Sequence, residues 1–446
     1  MTDELTYQKR LESLQRAISA CPGDRPRIAK RTTSNLFRYQ GRQPAAGSRI
    51  SLRGFNHVLG LCCESRTLDV EGLTTYEQIV DATLPQGFLP TVTPELKHIT
   101  IGGATVGIGI ESSGHRHGFV HDGLVEADVV LPDGRVVTCT AGNAHADLFH
   151  ALPNSYGTLG YILRARIRLI PAQPFVRVRH ARYQDVTGYL DAMKEAVDAR
   201  VSDFIEGLFY GSDVLYLTRA DFADKASHVE DIYGTIYYKT AGRIGDFFLP
   251  TKQYIFRYDP DWFWNVPDSP AYNLFRRLAP RALRSSGFYN RYSAWKKGIL
   301  KALDVERNKK MEPLIQDWQV PWEQAENLID FALEHVDLGG NPWVALPIVP
   351  QGSPTLYPVE TGRLYFNLGC YCLTAKPRQD REFHYTRIMD EACLRLGGLK
   401  MLYSSTFMDR QSFDRCYNGT AYARLKQRYD PEGAVPGLFE KVVEGV

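Results

Sequence analysis

Charge of one sign, paired cysteines and long apolar runs are all scarce in this chain. Fifty-three basic against fifty-one acidic side chains leave a formal net charge of +2 over 446 residues, so the broadly basic surface of a general nucleic-acid binder is missing. The eight cysteines (Cys21, Cys62, Cys63, Cys139, Cys370, Cys372, Cys393, Cys416) form no C-x-x-C pair and no zinc spacing, which suits a reducing cytoplasm and calls for no metal. No uninterrupted apolar run approaches the roughly 18 residues that span a bilayer. The opening MTDELTYQKRLESLQRAISA reads as a charged amphipathic helix without the apolar stretch of a signal peptide. The expectation is a cytoplasmic protein, soluble or peripheral on the inner face of a membrane.

What is present is enough apolar material, 44% of the residues, to bury more than one core at this length. Short apolar pieces at 57–61 and 67–70 lead into TTYEQIVDATLPQG, where Tyr76, Ile79, Val80 and Thr83 share one helical face. Residues 99–103 read as a strand entering a glycine-rich stretch, and Asp133-Gly134 between two valine-rich runs predicts a tight hairpin. A short helix follows over 145–152. From Tyr161 to Ile170, Leu163, Ala165, Ile167 and Leu169 alternate with Arg164, Arg166 and Arg168, the pattern of a half-buried strand ended by Pro171. Beyond it the chain shifts to amphipathic helices (186–201, 323–336) among aromatic-rich strands such as FIEGLFYG and RLYFNLGCYCL. The fold class expected is α+β, with domains over 1–172 and 173–395 and a final segment over 396–446.

In IGGATVGIGIESSGHRHG, residues 101–118, Gly102, Gly103, Gly107 and Gly109 fall within eight positions. Glycine permits positive φ and close backbone approach, so successive N–H groups can face a pyrophosphate or a flavin edge. A bulged strand pair that needs glycine for packing fits the same cluster. It is not the Rossmann G-x-G-x-x-G, because Ser112 stands at the third glycine, nor a P-loop, because no G-K-[ST] follows.

The order Pro94-Glu95, Gly102-Gly103, Gly107-x-Gly109, Ser112-Ser113, Gly118, Pro132-Asp133-Gly134, Asp147-Leu148-Phe149 and Gly157-Thr158-Leu159-Gly160 resembles the PCMH-type (vanillyl-alcohol-oxidase-like) FAD-binding domain. The resemblance implies a two-part, non-covalent FAD site with an α+β substrate cap. It carries FAD contacts onto Gly102, Gly103, Gly107, Gly109, Ser112, Ser113, Gly118 and Ile162. The stretch Gly109-Ile-Glu-Ser-Ser, with Leu402-Tyr403-Ser404, FIEGLFY and VALPIVP, is similar to the delta-24 sterol reductases and the bacterial methylene-fatty-acyl reductases, and adds Ile110 and Glu111. The usual glycine-rich pyrophosphate loop is replaced by RIAKRTTSNLFR, residues 27–38. Lys30, Arg31, Thr32, Ser34 and Asn35 can hold phosphates there by charge-assisted bonds, or form a solvated basic strand.

The resemblance implies reduction of an isolated C=C bond in a lipid, a methylene-branched fatty acyl chain first, with NADPH reducing the flavin. The alternatives are a sterol side-chain reductase, an alcohol oxidase or dehydrogenase, and a lipid-binding flavoprotein without turnover. An isolated alkene is a poor electrophile, so a positioned proton donor must accompany the hydride. The candidates are Glu206 inside FIEGL, Tyr403, and His117 with His115. Each has a bland counterpart: a surface carboxylate paired with an arginine, a core tyrosine, and loop histidines in flavin contact. The Tyr-Ser-Ser-Thr run at Tyr403 lacks the lysine that related sugar oxidases carry, which disfavours that chemistry. Between 271 and 310, eleven Lys/Arg, among them Arg276, Arg281, Arg284 and Arg291, face only Asp304 and Glu306, interleaved with Tyr272, Phe275, Phe288, Tyr289, Tyr292 and Trp295. Such a patch suits an anionic membrane surface, and equally a solvated helical face.

Overall fold

The structure, a computed structural model, describes residues 2–20, 25–27, 49–243, 245–264, 269–289, 291–292, 311–377 and 382–445. Helix α1 (Thr2–Ala20) precedes a short parallel pair, β1 (Arg25–Arg27) and β2 (Arg49–Ser51). A first antiparallel sheet is built from β3 (Val58–Cys62), β4 (Thr67–Glu71), β5 (Phe88–Pro90), β6 (Leu124–Val130), β7 (Val136–Thr140) and β8 (Tyr161–Pro171). Its order is β3-β4-β8-β6-β7, with β5 also on β8.

The alternation read in β8 decides its orientation. Leu163, Ala165, Ile167 and Leu169 are buried. On the opposite face Arg164 reaches Asp69 at 2.5 Å, Asp128 at 2.8 Å and Glu126. Helix α2 (Tyr76–Thr83) buries Tyr76, Ile79, Val80 and Thr83, and starts at a capping box in which Thr75 and Gln78 satisfy each other's backbone amides. The hairpin at Asp133-Gly134 forms as expected, with Gly134 at φ +90°.

One element differs from expectation. Residues 99–103 are not a strand: the chain makes one bridge at Thr100 and enters helix α3 (Ile101–Val106). Thr100 caps it by accepting from Gly103 N at 3.3 Å, and the amides of Ile101 and Gly102 are taken by Thr74 O and Gly72 O. Two short helices follow, α4 (Gly114–His117) and α5 (Ala146–Ala151).

The second antiparallel sheet holds β9 (Phe175–Tyr183), β10 (Phe204–Gly211), β11 (Val214–Ala223), β12 (Asp246–Pro250), β13 (Met311–Pro321), β14 (Trp343–Ile348), β15 (Tyr365–Ala375) and β16 (Leu399–Lys400). The order is β12-β9-β11-β10-β14-β15-β13-β16. Helices α6 (Val186–Ala199), α9 (Ala325–His335) and α10 (His384–Arg395) pack on it. The short helices α7 (Thr251–Ile255) and α8 (Pro270–Leu278) fall between β12 and β13 in sequence. The chain closes with α11 (Arg410–Cys416) and α12 (Gly419–Tyr429). The whole is α+β, as the sequence implied.

The two sheets share one apolar core, from Leu68 and Ile79 through Phe119 to Ile205, Leu208 and Phe366. They are stitched where the 109–118 segment meets the second sheet: Ile205 N donates to Ser112 O at 2.9 Å and Val349 N to Gly114 O at 3.0 Å. That seam holds the candidate site.

Candidate active site at the seam of the two sheets

The glycine-rich segment places bare backbone at the seam. At the start of α3 the amides are consumed by the chain itself, Ile101 N on Thr74 O at 3.0 Å and Gly102 N on Gly72 O at 2.9 Å. Gly102 is required by that approach, since a Cβ would lie 2.7 Å from Gly72 O. Gly72 in turn rests on the carbonyl of buried Ile162. Gly102 and Ile162 therefore serve close packing, whereas Gly103 is exposed and Gly107 and Gly109 are half-buried.

After α3 the chain turns through Ile108, a β-branched residue held at φ +56°, a conformation that persists only where the surroundings enforce it. Here Gly109 N donates to Ala104 O and Gly109 O accepts from Val120 N. Ser112 N donates to Glu111 Oε1 at 2.6 Å, and Ser113 Oγ donates to Thr91 O at 3.0 Å. Among the described residues, the amides of Ile110, Glu111 and Ser113 meet no protein acceptor. Such a run of free amides fits an anionic ligand lying against the backbone. Gly118 closes the segment at φ +69°, where a Cβ would stand 2.1 Å from Asp122 Oδ2.

Glu206 lies in this seam and is fully buried, but not alone. Arg257, two residues past α7, places Nη2 at 2.6 Å from Glu206, 2.8 Å from Glu111 and 3.0 Å from Glu95. Tyr237 donates to the other Glu206 oxygen at 2.6 Å. The guanidinium sits over the rings of Tyr254, Tyr258 and Tyr237 at 4.7, 5.2 and 5.5 Å. Glu206 is thus neither an isolated carboxyl nor a surface one; it is a buried member of an ion-pair cluster. Glu95 is pushed well above the usual carboxylate range by burial and then by the Glu111 charge, against the pull of Arg257.

Tyr403 belongs to a second cluster. Asp317 on β13 faces Gly369 of β15, whose missing side chain leaves its carboxylate room: a Cβ there would be 2.5 Å from Asp317 Oδ1. Asn367 Nδ2 donates to Oδ1 at 2.6 Å, Tyr371 donates to Oδ2 at 2.8 Å, and Tyr403 donates to the same oxygen. Burial raises Asp317 to about 6 although all three donors pull it down. Both phenols are pushed well above the ordinary tyrosine value by burial and by Asp317. Met401 N on Asp317 O at 3.1 Å and Gln316 Nε2 on Ser405 O at 3.2 Å pin the segment that carries Tyr403. Phe263 joins the clusters, stacking on Tyr371 at 4.1 Å and on Tyr258 at 4.9 Å. It and Trp262 hold φ of +54° and +46°.

The histidines are placed as follows. His117 is half-buried, and burial and then Arg116 lower its basicity. His115 is buried with ring nitrogens 3.0 Å from the carbonyls of Ser112 and Ser202, and burial lowers it to about 4. Both contacts favour an imidazolium; at neutral pH burial prevails, and one nitrogen faces a carbonyl without a proton.

Lys30, Arg31, Thr32, Ser34 and Asn35 lie outside the described residues. So does the 271–310 patch beyond Tyr292. Within the described part, Arg276 and Arg284 are buried, with Arg276 on Asp261 at 2.8 Å, so they are not surface cations. An open cleft lined by Tyr210, Asp213, Glu334, His335, Asp337 and Tyr385 shares no residue with either cluster. Among the described residues, no group of three His, Cys, Asp or Glu could hold a metal ion.

Sequence reasoning passed over Asp317, Asn367, Tyr371, Arg257 and any role for Glu95. The signals were small: Asn367, Gly369 and Tyr371 at alternate positions of an otherwise apolar strand, and Arg257 as the one cation in YIFRYDPDWFW.

Comparison with known proteins adds the following. The family described as FAD binding domain matches residues 9–140. The human Delta(24)-sterol reductase is 25% identical, over 86% of this chain and 76% of its own. That of Pisum sativum is 29% identical, over 89% and 76%. Cytokinin dehydrogenase 9 of Oryza sativa subsp. japonica is 32% identical over 31% of this chain and 27% of its own.

Proposed function

We propose that this chain, an FAD-binding oxidoreductase of the PCMH type related to the delta-24 sterol reductases, reduces an isolated C=C bond in a lipid. The observation that carries the reading is a buried acid held beneath two phenols: Asp317 under Tyr403 and Tyr371. The substrate proposed first is a methylene-branched fatty acyl chain, with NADPH as reductant. A sterol side-chain alkene fits the same chemistry, and the similarity to the Delta(24)-sterol reductases favours it. Residues 1–172 then hold the cofactor, 173–395 cap the substrate, and 396–446 return Tyr403 to the seam.

When bound, FAD supplies hydride-transfer chemistry; the amides of Ile110, Glu111 and Ser113 would take its anionic portion, beside Gly103, Gly107 and Gly109. The chain's own task is the proton. The alkene takes a proton at its terminal carbon, and positive charge develops at the branched carbon, where the hydride adds. With Asp317 protonated its hydrogen bond to Tyr403 reverses, the carboxyl donating to the phenol oxygen; Tyr403 then gives its phenolic proton to the alkene as Asp317 passes its own to that oxygen. One proton thus enters at the carboxyl and one leaves at the phenol, and no phenolate is left beside a carboxylate. The aromatic wall of Phe263, Trp264 and Tyr371 keeps water from the developing charge. Glu206, committed to Arg257 and Tyr237, holds the wall rather than supplying the proton.

The surface near α8 supports lipid access. Leu274, Phe275, Leu278, Leu283 and Tyr292 are five of the eight large apolar side chains that stand exposed among the described residues. Arg281 and Arg291 are exposed with them, a pattern suited to an anionic interface. No helix among the described residues is long and apolar enough to cross a membrane.

The test is anaerobic. NADPH should bleach the flavin of the purified protein, and a methylene-branched fatty acyl lipid or a delta-24 sterol should restore its colour. Bleaching with no reoxidation by any alkene lipid would replace this reading with another oxidoreductase, and a colourless protein would remove the flavin itself.

A further inference from the structure

The cluster around Arg257 holds more carboxyls than its donors can serve. Nη2 carries two hydrogens, yet three carboxylate oxygens from three elements lie within 3.0 Å of it. Glu206 is fully served: Arg257 Nη2 reaches one oxygen, and Nε and Tyr237 reach the other. Glu111 Oε1 receives Nη2 and Ser112 N. Glu111 Oε2 is buried and receives no donor among the described residues. Three ionised carboxyls against one guanidinium in a dry site would leave two negative charges uncompensated, which proteins avoid by protonation. The carboxyl left to keep a proton is Glu95, whose one donor among the described residues is Arg257 Nη2 at 3.0 Å, whereas Glu206 also receives Arg257 Nε and Tyr237 and Glu111 also receives Ser112 N.

We propose that Glu95 stands as a neutral carboxylic acid at physiological pH, donates its proton to Glu111 Oε2, and thereby positions the Ile110–Ser113 loop. The chain of contacts is direct. Glu95 fixes Glu111, Glu111 holds Ser112 N, Ser112 O holds Ile205 of β10, and the free amides on either side are left aimed outward. Burial first, then Glu111, Glu206 and a hydrogen bond with Glu111, raise the pKa of Glu95, against the pull of Arg257. Tyr258 and Tyr371, the phenols that feel its charge, are themselves pushed well above the ordinary range and stay neutral. Ionising Glu95 would expel it from Glu111 and release the loop. Glu95 acts through Glu111, so it is a positioning residue.

The consequence for the cofactor rests on the FAD reading; the proton on Glu95 does not. Infrared spectroscopy of the purified protein near pH 7.5 should show the C=O stretch of a protonated carboxyl that shifts on 13C-glutamate labelling. The other buried acids raised by their surroundings, Asp122, Asp259, Asp261, Asp317 and Asp390, are aspartates and would not shift. Glu95→Gln should remove that band. FAD affinity of the stripped protein should weaken by about tenfold per pH unit once Glu95 ionises, by linkage, whereas Glu95→Gln, whose amide still donates to Glu111, should show no such fall. Absence of a glutamate-labelled band overturns the proposal even if the variant does not fold. A band with pH-independent flavin affinity overturns the positioning role. A protein that shows the band but binds no FAD would overturn the flavin reading and leave the proton in place.

Discussion

Replacing Asp317 by asparagine removes the acid beneath Tyr403 while keeping its shape, and the structure fixes what should follow. Asp317 is 2% exposed and its pKa rises from 3.8 to about 6 because burial outweighs three donors. A rise of that size corresponds to about 3 kcal/mol. The sign follows from proton linkage: the folded chain binds this proton more tightly than the unfolded chain. Its stabilising contribution is therefore full below about pH 4 and lost as pH climbs through about 6. Asp317→Asn has no such titration. Urea unfolding followed by far-ultraviolet circular dichroism, run from about pH 4 to about pH 7, should show the variant gaining about 2 kcal/mol on the native protein across that span. The same substitution should slow reoxidation of the reduced flavin by alkene. In the native protein that step should decline about tenfold per pH unit above about pH 6 as the relay loses its proton, and in the variant it should be slow and flat. A stability difference constant with pH, or a native profile that Asp317→Asn leaves unchanged, would refute the relay.

Two further substitutions probe the surroundings. Arg257→Met strands buried carboxyls and should lower stability by about 3–5 kcal/mol, read as a drop in the urea midpoint. Glu206→Met in the same chain should recover part of that loss. Leu274→Asp with Leu278→Asp, both on the exposed face of α8, should abolish co-sedimentation with phosphatidylglycerol vesicles without changing the urea midpoint. Unaltered vesicle binding would show that α8 is not the lipid-facing surface.

Local chemistry was legible in the sequence where one element decides its own structure. The β8 alternation, the apolar face of α2 and the Asp133-Gly134 hairpin need no distant partner. The glycine run misled for a physical reason: Gly102 is there to lie on Gly72 from another element, and it does so as a helix, so a local reading took its small size for strand and turn chemistry. The proton-handling group was hidden for the same kind of reason. Asp317 and Tyr403 are 86 residues apart, and only the pairing of β13 with β15 and β16 brings Asn367, Tyr371 and Tyr403 onto one carboxylate. Tyr403 could be named from resemblance; its partner could not. Arg276 and Arg284 show the limit of counting charges, since a cation in a basic stretch can be buried against an aspartate or a carbonyl.

The measurement closest to the central claim is where hydrogen goes. Turnover in D2O with a methylene-branched fatty acyl lipid and the flavin-loaded protein, analysed by mass spectrometry and deuterium NMR of the product, should place a deuterium on the new methyl carbon. That is the position reached by the proton from Tyr403. Recovery of unreduced lipid, or a product whose new methyl carbon carries no deuterium, would contradict the account.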